Sequence, residues 1–111
     1  MRIKLDIPLT LDEIRKAIGA DEYGGTIENI RIDTLCTDTR ECQRGDLFIA
    51  LVGENDSGDK YVADALKIGC FVLSSLNTNG TLRVKDTADA LLKIAQLYKS
   101  KLPSLRTVAV T

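Results

Sequence analysis

Apolar residues fall at Leu11, Ile14, Ala17 and Ile18, three and four positions apart, just after the run Thr10-Leu11-Asp12-Glu13. That spacing lines one face of a helix. Thr10 and Glu13 occupy the positions of a capping box, and Gly19 supplies a stop, so a short first helix is predicted. From Ile27 the pattern loosens to alternation through Ile30 and Ile32, which predicts a strand. Leu35–Thr37 reads as a second short strand leading into Asp38-Thr39-Arg40. The clearest strand is Asp46–Val52, whose nearly unbroken apolar run implies burial on both faces.

After a polar loop at Gly53–Asp59, the segment Lys60–Ile68 places Val62, Ala65 and Leu66 on one helical face, with Gly69 at its end. Cys70–Leu73 and Leu82–Val84 predict short strands around a turn at Asn77–Gly80. Asp86 or Thr87 can cap the longest helix, which runs to about Lys101. Its expected core stripe is Ala88, Leu91, Leu92, Ala95 and Tyr98. Pro103 marks the exit, and Thr107–Val110 reads as the start of a final strand. Strands alternating with helices predict an α/β fold, a small layered domain with a mixed or parallel sheet flanked by helices. At 111 residues the chain holds one domain around one core.

Charge and composition remove several functions. Lys+Arg 15 against Asp+Glu 16 leaves a net charge of −1, which lacks the basic excess of a nucleic-acid partner. No apolar run approaches the roughly 20 residues of a membrane span. Met1–Pro8 interleaves Arg2, Lys4 and Asp6 with apolar residues and has no signal-peptide core, which predicts a cytoplasmic protein. The chain contains no histidine, so Cys/His zinc sites and His-activated nucleophiles are excluded. Cys36, Cys42 and Cys70 form an odd set without a CxxC pair, and no disulfide framework is expected.

Two polar segments could carry chemistry. Thr37, Asp38, Thr39 and Arg40 combine two hydroxyls, a carboxylate and a guanidinium at a strand end. Hydroxyls can bond a base or sugar, and arginine can grip a phosphate. The plainer alternative is a turn whose Asp38 and Thr39 bond their own backbone. The loop at Gly53–Asp59 carries Glu54, Asn55 and Asp56, of which Asn55 suits an imide such as uracil; an ordinary solvated βα loop is the alternative. This loop lacks the Gly-Lys-Ser/Thr of a P-loop, and the twelfth-position glutamate of a calcium loop is also missing. Phe48, Tyr61, Phe71 and Tyr98 fall within predicted elements and read as core. A reactive thiolate at Cys36 or Cys42 would have only Arg40 to activate it.

Taken in order, Thr37-Asp38-Thr39-Arg40, Arg44-Gly45-Asp46-Leu47-Phe48-Ile49-Ala50-Leu51 and Gly53-Glu54 resemble the amino-terminal domain of the Mur ligases of peptidoglycan synthesis. The family pattern is Thr-Asp-Ser/Thr-Arg, then Gly-Asp-Leu-Phe-x-Ala-x-x-Gly. Gly58, Ala65 and Gly69 continue it, and the similarity runs roughly from Leu9 to Thr111. The softer features, such as Gly53-Glu54-Asn55 and Val84-Lys85-Asp86-Thr87, resemble the MurF type more than the MurE type. Ser57, Asp59 and Cys70 stand where the family has Asp, His and Ala.

The resemblance implies that residues 1–111 form a single UDP-substrate-binding domain with no cofactor of its own and no catalytic residue. The domain would be cut just before an ATP-binding P-loop, since Thr111 matches the threonine preceding that loop. The full-length parent would use ATP and Mg2+ to join D-alanyl-D-alanine to a UDP-MurNAc-tripeptide (MurF), or diaminopimelate or lysine to the dipeptide (MurE). Its partners would be the UDP-MurNAc-peptide and its own central and C-terminal domains. Thr39 matches the family's uracil-contacting hydroxyl, with Thr37, Asp38 and Arg40 shaping that site. Glu54, Asn55 and Asp56 match the loop beside the uracil ring. Gly45, Asp46 and Phe48 match turn and core positions. A standalone, non-catalytic nucleotide-sugar-binding module is the alternative.

Overall fold

A computed structural model describes residues 2–20, 30–51, 61–75 and 81–102. Among these the chain forms β1 (Arg2–Thr10), α1 (Leu11–Ile18), β2 (Arg31–Cys36), β3 (Leu47–Ile49), α2 (Val62–Ile68), β4 (Phe71–Ser74), β5 (Thr81–Arg83) and α3 (Thr87–Lys101). The strands make one mixed sheet in the order β1-β2-β3-β4-β5. β1 runs antiparallel to β2, and the later neighbours are all parallel.

Side-chain alternation on β3 divides the core. Leu47 and Ile49 pack into a cluster with Leu11, Ile14 and Ile18 of α1 and Ala90 and Ile94 of α3. Phe48 and Ala50 face the other way, toward Val62 and Ala65 of α2 and Val72 of β4. The sheet is thus covered on both faces, as the apolar run around β3 requires. In place of two predicted strands, one from Ile27 through Ile32 and one at Leu35–Thr37, the described residues form one continuous strand, β2; residues 27–29 lie outside the described residues.

β1 is the element that the mixed sequence Arg2–Thr10 does not announce. It is an edge strand with a register shift between Lys4 and Leu9, a place where Pro8 is tolerated because an edge N–H need not pair. Arg2 anchors it through Asp46, with Nε 2.8 Å from Oδ2 and the terminal nitrogen 3.3 Å from Oδ1. Asp46 is buried and also accepts the Gln43 N–H, which closes the turn before β3. Within that turn Gly45 takes φ +91°, a conformation that costs a side chain dearly.

The core stripe of α3 differs from the predicted one. Thr87, Ala90 and Ile94 are buried, with Leu91, Leu97 and Tyr98 partly so, whereas Leu92 is 58% exposed and Ala88 and Ala95 face solvent. The stripe is rotated by roughly 100°, one residue's worth of helical turn. Leu91, Leu92, Ile94 and Leu97 together span so much of the helix that spacing alone permits either face. Packing on α1 and β1 decides it. Tyr98 Oη accepts the Asp6 N–H at 2.9 Å, and Lys101 Nζ lies 2.7 Å from Glu13 Oε1.

The capping box on α1 forms as the sequence implies. Thr10 Oγ1 accepts the Glu13 N–H at 3.1 Å, and Glu13 Oε2 accepts the Thr10 N–H at 2.9 Å. Thr10→Ala removes one half of this pair and is expected to cost about 1 kcal/mol of stability, read from a urea unfolding curve. A loss below the error of the extrapolation would mean that α1 is held by packing alone.

Candidate functional site

β2 and β3 are parallel neighbours, so whatever follows their carboxyl ends shares one edge of the sheet. Thr37-Asp38-Thr39-Arg40 leaves β2 at that edge. Ala50 and Leu51 leave β3 beside it, with the Ala50 N–H donating to the Leu73 carbonyl at 2.9 Å. The crevice outside the carboxyl ends of parallel strands is the usual ligand position in open α/β sheets. Glu54, Asn55 and Asp56 lie outside the described residues, as do Ser57, Asp59 and Thr107–Thr111. The described start of their loop is on the same edge as the Thr37–Arg40 corner.

Within the corner, Asp38 is the hub. Its Oδ1 accepts the Arg40 backbone N–H at 2.9 Å, and its two oxygens receive the guanidinium at 2.8 to 3.2 Å. The Arg40 guanidinium and N–H hold the Asp38 carboxyl well below the usual range, at about 2. Arg40 is therefore engaged with Asp38, while its side chain remains 88% exposed. The turn reading is met in its Asp38 half, since Asp38 bonds the backbone two residues on.

The two hydroxyls behave differently. Thr37 and Thr39 are half-buried, and neither side chain has a hydrogen-bond partner among the described residues. Threonine hydroxyls with such bonds lie elsewhere, as at Thr10 and Thr34. Tyr61, at the entry to α2, packs partly against the α2-side cluster.

The cysteines converge beneath this corner. Cys36 Sγ donates to the Asp38 carbonyl at 3.0 Å, and Cys42 Sγ donates to the same oxygen at 3.2 Å. Cys70 Sγ donates to the Gln43 carbonyl at 3.3 Å. Burial, followed by the neighbouring thiols, pushes the Cys42 thiol far above its ordinary value, and burial also raises Cys70. Cys42 and Cys70 are thus protonated donors and not thiolate nucleophiles.

A cavity of about 370 Å³ lies elsewhere on the molecule, between the end of α1, the exit of β5 and the start of α3, where Arg83, Lys85, Asp86 and Lys93 line it. β5 stands three strands from β2, roughly 14 Å across the sheet. This cavity does not include the Thr37–Arg40 corner.

No family model matches the chain. The chain is 34% identical over 89 residues to the UDP-N-acetylmuramoyl-tripeptide–D-alanyl-D-alanine ligase of Haemophilus influenzae, an alignment covering 76% of the chain and 19% of that protein. It is 30% identical over 92 residues to the UDP-N-acetylmuramoyl-L-alanyl-D-glutamate–2,6-diaminopimelate ligase of Cytophaga hutchinsonii, covering 75% of the chain and 19% of that protein. A crystal structure of MurF from Acinetobacter baumannii superposes with a TM-score of 0.69 at 28% identity, over 83% of this chain and 21% of that one. The chain thus spans about a fifth of the length of the curated relatives it matches over most of its residues.

Proposed function

The chain belongs to the Mur ligase family, homologous over most of its length to the MurF and MurE types, and on this footing we propose that it holds the uridine diphosphate end of a UDP-N-acetylmuramoyl peptide. The observation that carries the reading is the pair of half-buried hydroxyls, Thr37 and Thr39, without partners among the described residues. They stand on the sheet edge from which the Glu54–Asp56 loop departs. Half-buried hydroxyls gain by meeting a ligand's donors and acceptors, and a uracil edge offers both. Asp38 and Arg40 shape the corner by bonding each other. Glu54, Asn55 and Asp56, the other residues proposed to contact the uridine, lie outside the described residues.

In this reading the domain is the first of a longer ligase, of the MurF type by preference because the structural neighbours include MurF. The parent joins D-alanyl-D-alanine to a UDP-MurNAc-tripeptide using ATP and Mg2+. The diaminopimelate ligase relative keeps the MurE type as a second reading. Gripping the nucleotide far from the reacting carboxylate lowers the barrier by positioning, since ordering is taken up by remote binding.

The described residues do not fit Mg2+–ATP. The sequence has no Gly-Lys-Ser/Thr loop, and among the described residues no three acidic or cysteine side chains group as metal ligands would. In this reading ATP chemistry belongs to the parent's other domains.

Titration of the chain with UDP-MurNAc-tripeptide, UDP and ADP tests the reading. Uridine nucleotides should bind in preference to ADP, and Thr39→Val should weaken UDP roughly tenfold by removing a hydroxyl at nearly constant volume. Equal binding of UDP and ADP, or an unchanged affinity in Thr39→Val, would overturn it. The codons after Thr111 separate a ligase domain from a standalone binding module: Gly-Ser/Thr-x-Gly-Lys-Thr supports the ligase, and a stop codon supports the module.

A further inference from the structure

We propose that the thiols of Cys36 and Cys42 are positioning residues, which turn the Asp38–Thr39 peptide so that Thr39 presents both its hydroxyl and its backbone N–H to the ligand. The ligand half of this statement rests on the uridine reading; the positioning half does not. Both sulfurs donate to one oxygen, the Asp38 carbonyl, at 3.0 and 3.2 Å, and the Glu41 N–H donates to it at 3.0 Å. Cys36 is fully buried, and Cys42 packs against the cluster of Phe48, Val62, Ala65 and Val72. The carbonyl is thus drawn toward that cluster.

A planar trans peptide has its C=O and N–H on opposite sides. With the Asp38 carbonyl aimed inward, the Thr39 N–H points away from the thiols. The Asp38 carboxylate takes the Arg40 N–H and not that of Thr39, which keeps the Thr39 donor out of the internal network of the turn. Single thiol hydrogen bonds are weak. Two on one carbonyl, one of them wholly shielded from water, hold a peptide plane that a solvated turn would let rotate.

Cysteine suits this place for a reason serine does not share. Its S–H is compatible with an apolar surround, so the same side chain fills the α2-side cluster and still donates to the corner. Burial keeps the thiol protonated at every physiological pH, so the donor is never lost to ionisation.

The test compares Cys42→Ala, Cys42→Ser and Cys70→Ala with the unaltered chain, at temperatures equally far below each melting point. The first readout is the amide exchange rate of Glu41 without ligand, by NMR. The second is affinity for UDP. Cys42→Ala should speed Glu41 exchange roughly fivefold and weaken UDP by a similar factor, while Cys42→Ser restores a donor and recovers much of both. Cys70→Ala removes the neighbouring thiol that serves Gln43, and should leave Glu41 exchange near the unaltered rate. Unchanged Glu41 exchange in Cys42→Ala, equal defects in the alanine and serine variants, or an equal effect of Cys70→Ala would each overturn the positioning role. Failure of the unaltered chain to bind UDP would instead remove the uridine reading, and the exchange data would still decide what the thiols do.

Discussion

Replacing Phe48 with alanine is expected to lower the unfolding free energy by about 3–5 kcal/mol, the range for truncating a fully enclosed aromatic ring. Phe48 has no exposed surface and is among the largest wholly buried side chains. It is central to the smaller of the two clusters, with Ala50, Val62, Ala65, Cys70 and Val72 around it. The small size of those neighbours is why the effect should be large. Alanines and valines have little length with which to reach into the space left, so a cavity would persist. Total stability for a domain of this size is commonly about 5–15 kcal/mol, and such a loss could leave the chain partly unfolded at growth temperature. Denaturant unfolding followed by circular dichroism measures it. A cost below about 1 kcal/mol would mean that α2 does not pack on the sheet as described.

Breaking the hub of the corner should have the largest effect on ligand binding. Asp38→Ala removes the acceptor of the Arg40 N–H and the counter-charge of its guanidinium together, and should weaken UDP by at least about tenfold. Asp38→Asn keeps an acceptor for the backbone N–H but gives up the charge, so its affinity should fall between the two. If both variants bind as the unaltered chain does, the corner is no part of a uridine site.

The same hub carries a pH dependence of fixed sign. Asp38 has its carboxyl depressed from 3.8 to about 2. The ionised clamp is therefore fully present above the unfolded value and is lost as pH falls from about 3.8 through about 2. Arg40 is mostly exposed, so solvent screens the pair, and the loss should be local and not a global unfolding. An NMR titration should show the Asp38 carboxyl and the Arg40 amide moving together with a midpoint near 2. A midpoint at the ordinary carboxyl value would show that Arg40 is released in solution.

Several features were legible because their cause is local. The capping box at Thr10 and Glu13 depends on two residues three apart, and it forms. Asp86 caps α3 by accepting the Asp89 N–H at 3.1 Å, and Gly19 and Gly69 end their helices with positive φ. The apolar run around β3 required a covering layer on both faces. Gly45, Asp46 and Phe48 read as turn and core, and the structure uses them so. The Thr37–Arg40 corner was legible as a polar segment at a strand end, and the parallel pairing of β2 and β3 puts it beside the start of the loop after β3.

Sequence alone, then, determined the capped start of α1, the glycine stops of α1 and α2, the two-sided burial of the central strand and the polar corner, since each follows from residues within about one turn or one pleat of each other. Tertiary structure decided which face of α3 turns inward, that Arg2–Thr10 is a strand, and that Arg2 meets Asp46 forty-four positions away. It also decided that Cys36, Cys42 and Cys70 gather under the corner and that Arg40 is bound to Asp38. Those outcomes depend on how separate elements dock. Docking is selected by the shape and satisfaction of a whole core, which no window along the chain contains.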